Sequence, residues 1–136
     1  MINSIRLAVQ IRANNCCEYC FAQDNFSHDP FSEEHILPVT KGGLYILDNL
    51  AWACLGCNFS KGPATSAIDF LTGSLVPLYN PRKDNWETHF EWHEDFTILV
   101  GLTPIGRATI TRLKLNRPGL INFRSVLVSQ GIHPPK

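Results

Sequence analysis

Long hydrophobic runs are missing from this 136-residue chain: no apolar stretch approaches the roughly 18 residues that a bilayer-spanning helix needs, so no membrane association is expected. An excess of one charge is missing too. Twelve Lys and Arg face twelve Asp and Glu, a formal net charge of zero, which argues against a strongly basic nucleic-acid binder. Internal repeats and low-complexity segments are absent, and the first residues, Met1-Ile2-Asn3-Ser4-Ile5-Arg6, show no signal-peptide core. A cytoplasmic location is therefore expected. What remains, with 44% hydrophobic residues, is a length suited to one domain with a core of its own.

Cysteine is present in a pattern. Cys17 and Cys20 form one Cys-x2-Cys pair, Cys54 and Cys57 a second, and 33 residues lie between them. In a reducing compartment such pairs point to metal or redox chemistry more than to disulfides. Two of them suit a closed tetrahedral zinc site in which four thiolates converge on one ion. Cys16 is left over, and its Cys-x3-Cys spacing to Cys20 competes with Cys17, the preferred ligand. Between the pairs stands Glu33-Glu34-His35-Ile36-Leu37-Pro38, an acidic-His segment that suits a second, hydrolytic metal site.

The local patterns predict a helix over residues 3–14 with a Ser4 cap, a strand from Ile36 to Val39, a turn at Lys41-Gly42-Gly43 and a returning strand from Leu44 to Leu47. A helix is expected from Asp48-Asn49 through Leu50, Trp52 and Ala53, with another start near Asn58. Further on, residues 64–73 read as a brief helix, residues 86–100 as a hairpin, residues 105–116 as a helix begun by Thr103-Pro104, and a last helix follows Pro118 and ends at Gly131. Charge is uneven along this order. Residues 101–136 carry Arg107, Arg112, Lys114, Arg117, Arg124 and Lys136 and no acidic residue, whereas residues 1–60 and 61–100 each carry three basic and six acidic ones. That tail is either a footprint for phosphates or a set of solvated faces answering the acidic middle.

Glu34-His35-Ile36-Leu37-Pro38, Lys41-Gly42-Gly43, Asn49-Leu50 and Cys54-Leu55-Gly56-Cys57-Asn58-Phe59-Ser60-Lys61-Gly62, in that order and with Arg12-Ala13 and Cys17-Glu18-Tyr19-Cys20 ahead of them, resemble the HNH endonuclease family in its four-cysteine zinc branch. The resemblance implies an α+β fold: a zinc-stabilised ββα-metal core over residues 1–63, with a hairpin-plus-helices extension over 64–136 packed on it as one structural unit. It further implies a metal-dependent enzyme that hydrolyses DNA phosphodiester bonds, leaving 5′-phosphate and 3′-hydroxyl ends, with RNA left open as a substrate. By the same resemblance His35 is the general base that activates water, Glu34 and Asn58 hold a catalytic Mg2+ or Mn2+ through oxygen, and Asn49 fastens the loop between the strands. Two positions depart from the family pattern: Glu34 stands where Asp is common and Asn58 where the motif's last His stands. Both still offer oxygen to a hard cation.

Residues 77–117 are similar to the C-terminal extension of small stand-alone bacterial HNH proteins common in cyanobacteria. Lys61, Arg82, Arg107, Arg112, Lys114 and Arg124 are the expected phosphate contacts, while Trp86, Phe90 and Trp92 are expected in the core. One nicking centre per chain requires a homodimer, or two visits, to break both strands. The competing reading is a non-catalytic zinc module that binds nucleic acid or protein, which would have no need of His35 or of oxygen ligands.

Overall fold

In the computed structural model, which describes residues 3–135, the chain enters through helix α1 (Ser4–Arg12). Its cap is Asn3 and not Ser4: the Asn3 carboxamide oxygen accepts from the amides of Ile5 and Arg6 at 3.0 and 3.1 Å. A cysteine-bearing turn follows, in which the Cys17 amide bonds the Ala22 carbonyl and the Phe21 amide bonds the Cys17 carbonyl. Strand β1 (Ser32–His35) then pairs antiparallel with β2 (Leu50–Ala53), setting Glu34 opposite Ala51 and His35 opposite Leu50. Helix α2 (Leu55–Lys61) starts directly after β2, capped by the Cys54 sulfur, which accepts from the Cys57 amide.

The strands lie earlier and later than the sequence pattern predicts, and the reason is local. Residues 36–49 form a loop and no strand, because a side chain, Asn49, satisfies the backbone groups that a ladder would otherwise satisfy. Leu50 to Ala53 is a strand and no helix. All four residues are buried, so the apolar run has no solvent face, and Cys54 must leave it to cap α2.

Residues 64–73 also depart from the predicted helix. They form strand β3 (Ser66–Ile68), paired with β4 (Leu75–Pro77), and the connecting turn closes on the fully buried Asp69 carboxylate. That carboxylate accepts from the Leu71 and Thr72 amides and from the Thr72 hydroxyl. One turn of helix, α3 (Trp86–His89), runs into the hairpin of β5 (Phe90–His93) and β6 (Ile98–Gly101). Helix α4 (Pro104–Leu113) is capped by Thr103, whose hydroxyl accepts from the Gly106 amide at 3.1 Å, and α5 (Pro118–Ser129) again begins on proline.

The result is an α+β fold in which β1, β2 and α2 form a ββα unit over a four-cysteine cluster. One apolar cluster runs from Val9 through Leu50 and Trp52 to Tyr79, Phe90 and Leu113, so residues from both halves of the chain share it. Trp86 and Trp92 pack against that cluster, and Phe90 lies within it. Among the described residues no helix is long and apolar enough to cross a membrane.

Candidate functional site

The sulfurs of Cys17, Cys20, Cys54 and Cys57 all lie within 4.8 Å of one another, and Cys20 and Cys54 are 3.7 Å apart. A tetrahedral ion with bonds of about 2.3 Å to sulfur sets its ligands about 3.8 Å apart, so the cluster fits zinc in chemistry and in size. Two local devices aim the sulfurs. The turn after Cys17 returns the Ala22 amide to Cys20 Sγ at 3.4 Å, and the first turn of α2 brings the Cys57 amide to Cys54 Sγ at the same distance. Burial pushes the Cys17 thiol up, reinforced by hydrogen bonding to Cys20 and Cys54; Cys54 is driven far down because the other three thiols donate to it. Four buried thiols so arranged cannot all ionise unless a cation joins them. Cys16 stands outside the cluster, its thiol bonded to the Asn14 carbonyl at 3.3 Å.

Beside the cluster, a hollow of about 310 Å³ opens between the end of β1 and α2. Glu33, Glu34, His35 and Asn58 line it, with Pro38, Val39 and Thr40 on one rim and Gly62 and Pro63 on another. Ser32 and Glu34 share the face of β1 turned toward α2, where the Asn58 amide nitrogen donates to Ser32 Oγ at 3.2 Å. Glu34 is only 4% exposed. Its Oε1 lies 2.6 Å from Lys61 Nζ, and its Oε2 accepts from the Tyr19 hydroxyl at 2.8 Å. Burial raises its pKa, against the opposing effects of Lys61 and Tyr19. Each carboxylate oxygen has two acceptor directions, so these bonds leave capacity for a cation.

Glu33 does not compete for that place. Arg6 donates to its Oε1 at 2.9 Å and Tyr45 to its Oε2 at 2.8 Å. Burial pushes the Glu33 carboxyl up, but bonds from its own backbone amide, Tyr45 and Arg6 leave it below its ordinary value. His35 lies on the other side of Glu34, with its ring 6.0 Å from that of Tyr45. The loop after it is held by Asn49, whose Oδ1 accepts from the Leu37 amide at 2.8 Å and whose Nδ2 donates to the carbonyls of Leu37 and Leu44, both at 3.0 Å. Gly43 makes that clamp possible, since a Cβ there would sit 1.7 Å from the Leu37 oxygen and 2.9 Å from Asn49 Nδ2.

Of the six basic residues predicted to meet phosphate, four are turned inward onto protein partners. Lys61 is 2% exposed and, besides Glu34, donates to the carbonyls of His35 and Ile36 at 3.4 and 3.1 Å. Arg82 pairs with Glu18, and Arg107 grips Asp69 with two bonds of 2.9 and 3.1 Å. Arg124 is buried and donates to the carbonyls of Thr97 and Leu115 and to Asn116. Arg112 and Lys114 remain exposed, on the groove they line with Phe59 and Ser60 of α2. Arg112 Nη2 reaches the Lys61 carbonyl at 3.2 Å, beside Gly62 on the rim of the hollow. Lys136 lies outside the described residues.

Sequence reasoning missed Tyr19 and Ser32 as neighbours of this hollow and Arg117 as a neighbour of the sulfurs. Tyr19 carried a signal, since it sits inside the first Cys-x2-Cys turn and is carried with it. Arg117 carried none, being 60 residues from Cys57.

Residues 17–67 match the family model of the HNH endonuclease. Comparisons with curated proteins and with solved structures gave no match.

Proposed function

We propose that the chain is a metal-dependent phosphodiesterase acting on DNA, with residues 1–63, which hold most of the segment matching the HNH endonuclease family, as the nuclease core and residues 64–136 packed on it. The observation that carries this reading is the single hollow that Glu34, His35 and Asn58 all line, next to a four-sulfur cluster. His35 is the base: a neutral imidazole takes a proton from water at neutral pH. Lys61 fixes the strand end that carries it by bonding the His35 and Ile36 carbonyls, and Asn49 fixes the loop beyond. Glu34 and the Asn58 carboxamide oxygen are the residues that would hold Mg2+ or Mn2+. Bound there, such an ion supplies charge stabilisation for the phosphate and for the departing oxygen. Arg112 and Lys114 give DNA a positive path from the rim of the hollow along α2.

One observation favours a second reading, a zinc module that binds nucleic acid without cutting it. The Lys61 ammonium already neutralises Glu34, so the hollow is electrically satisfied without a second ion. Supercoiled plasmid incubated with the zinc-loaded protein in Mg2+, in Mn2+ and in EDTA separates the two. Nicked product that requires the added ion supports the nuclease. DNA retained but uncut under every condition supports the module.

A further inference from the structure

The C-terminal half delivers a cation to the sulfur cluster. Arg117, which precedes α5, places Nη2 at 3.6 Å from Cys54 Sγ and 3.8 Å from Cys57 Sγ, and Nη1 at 3.7 Å from Cys57 Sγ. Nη1 also donates to the carbonyls of Leu113 and Lys114, both at 3.2 Å, so the end of α4 fixes the guanidinium in that pose. Among the described residues Arg117 has no carboxylate partner, and the thiol groups are the acidic groups it faces. A second observation, made on the other side of the contact, concerns Gly56. A Cβ at that position would lie 2.5 Å from Arg117 Nη2 and 2.9 Å from its Cζ. Glycine is a poor helix former, and Gly56 stands in the first turn of α2. Its missing side chain is the opening through which the guanidinium reaches the sulfurs.

We propose that Arg117 is a positioning residue of the zinc centre, a guanidinium fork laid across Cys54 and Cys57 by the C-terminal half to slow loss of the metal, and that Gly56 is there to admit it. Four thiolates around a divalent ion leave two uncompensated negative charges, and Arg117 cancels one of them. Its N–H groups also occupy sulfur lone pairs, holding both thiolates in the direction of the ion. The amides at Cys57 and Ala22 do the same for Cys54 and Cys20 without bringing charge, whereas Arg117 brings both N–H groups and charge to the sulfurs it touches. The role depends on metal in the sulfur cluster and not on the nuclease reading. It gives the extension a task that would hold even in a protein that never cuts DNA.

The test uses full-length, zinc-loaded protein and follows zinc transfer to a chromogenic chelator, with unfolding followed in parallel by tryptophan fluorescence. Arg117→Gln removes the charge and the fork and is expected to release zinc at least about tenfold faster, the lower end of what outer hydrogen-bond partners of metal ligands contribute. Arg117→Lys, which keeps the charge and loses the fork, falls between Gln and wild type. Gly56→Ala accelerates release although alanine is the better helix former, and the double variant adds little to either single one, because both remove one contact. Gly119→Ala, two residues from Arg117 with open space around its Cβ, releases at the wild-type rate. Three results overturn the proposal: wild-type release from Arg117→Gln, single effects that multiply in the double variant, or acceleration no greater than the accompanying rise in unfolding rate.

Discussion

Replacing Asn49 tests how the loop over the hollow is held. Its carboxamide makes three bonds to backbone, one accepted from the Leu37 amide and two donated to the Leu37 and Leu44 carbonyls. A neutral hydrogen bond contributes about 0.5–1.5 kcal/mol net, and water can reach this loop, so the lower end applies to each. Asn49→Ala is expected to cost about 1.5 kcal/mol, roughly 5 °C in Tm for a domain of this size. Asn49→Asp separates this account from one based on shape alone. It keeps the size and the bond from the Leu37 amide but sets a negative charge against two carbonyl oxygens that now receive donors at 3.0 Å. It should therefore be no more stable than Asn49→Ala at neutral pH. Urea unfolding of the zinc-loaded proteins, read by tryptophan fluorescence, gives the three stabilities. An Asn49→Asp protein as stable as wild type would refute the reasoning, because shape alone would then suffice.

Other expectations follow from the paired and unpaired charges. Removing zinc with a strong chelator, or replacing Cys57 with Ser, should unfold the first half of the chain, since metal binding and folding are coupled; elemental analysis of the native protein should give one zinc per chain. Replacing Arg112 and Lys114 together should weaken DNA binding and lower the slope of log affinity against log salt by about 1.8 if each meets one phosphate, and an unchanged slope across a salt series would remove both from the interface. His133 packs edge-on against Trp92, with ring centroids 4.6 Å apart, and Nε2 stands 3.0 Å from the Phe96 carbonyl; burial, with the nearby Arg124, lowers its pKa to about 4. Because the fold holds this base neutral, its contribution is fully present above the ordinary histidine pKa of about 6.5 and is lost as pH falls through about 4. His133→Gln should flatten that part of the Tm profile, and an unchanged profile would rule His133 out as its source.

Much of the sulfur centre was legible because ligand spacing is a covalent fact: two Cys-x2-Cys turns must each aim two sulfurs together, whatever the rest of the chain does. Cys16 was the ambiguity, and the structure settles it by turning that thiol to the Asn14 carbonyl. Helices α4 and α5 were legible for the same local reason, a proline in the first turn and a cap or stop at the end. The hairpin of β5 and β6 was legible as well, from its alternation, but β1 to β4 were not. Leu50 to Ala53 has the composition of either a buried strand or a buried helix, and only pairing with β1 decides. The basic residues were the least legible, because a positive charge in sequence does not say where its partner lies. Asp69 and Arg107 are 38 residues apart and meet only when α4 packs on β3, and Glu18 and Arg82 are 64 apart and meet only when the two halves pack.

Single-turnover cleavage of supercoiled plasmid by wild type and His35→Ala, each with its zinc content measured, addresses the central claim. His35→Ala is expected to lose rate on the order of 10²–10⁴-fold, with zinc and DNA affinity retained. Wild-type turnover in His35→Ala protein of full zinc content would contradict it.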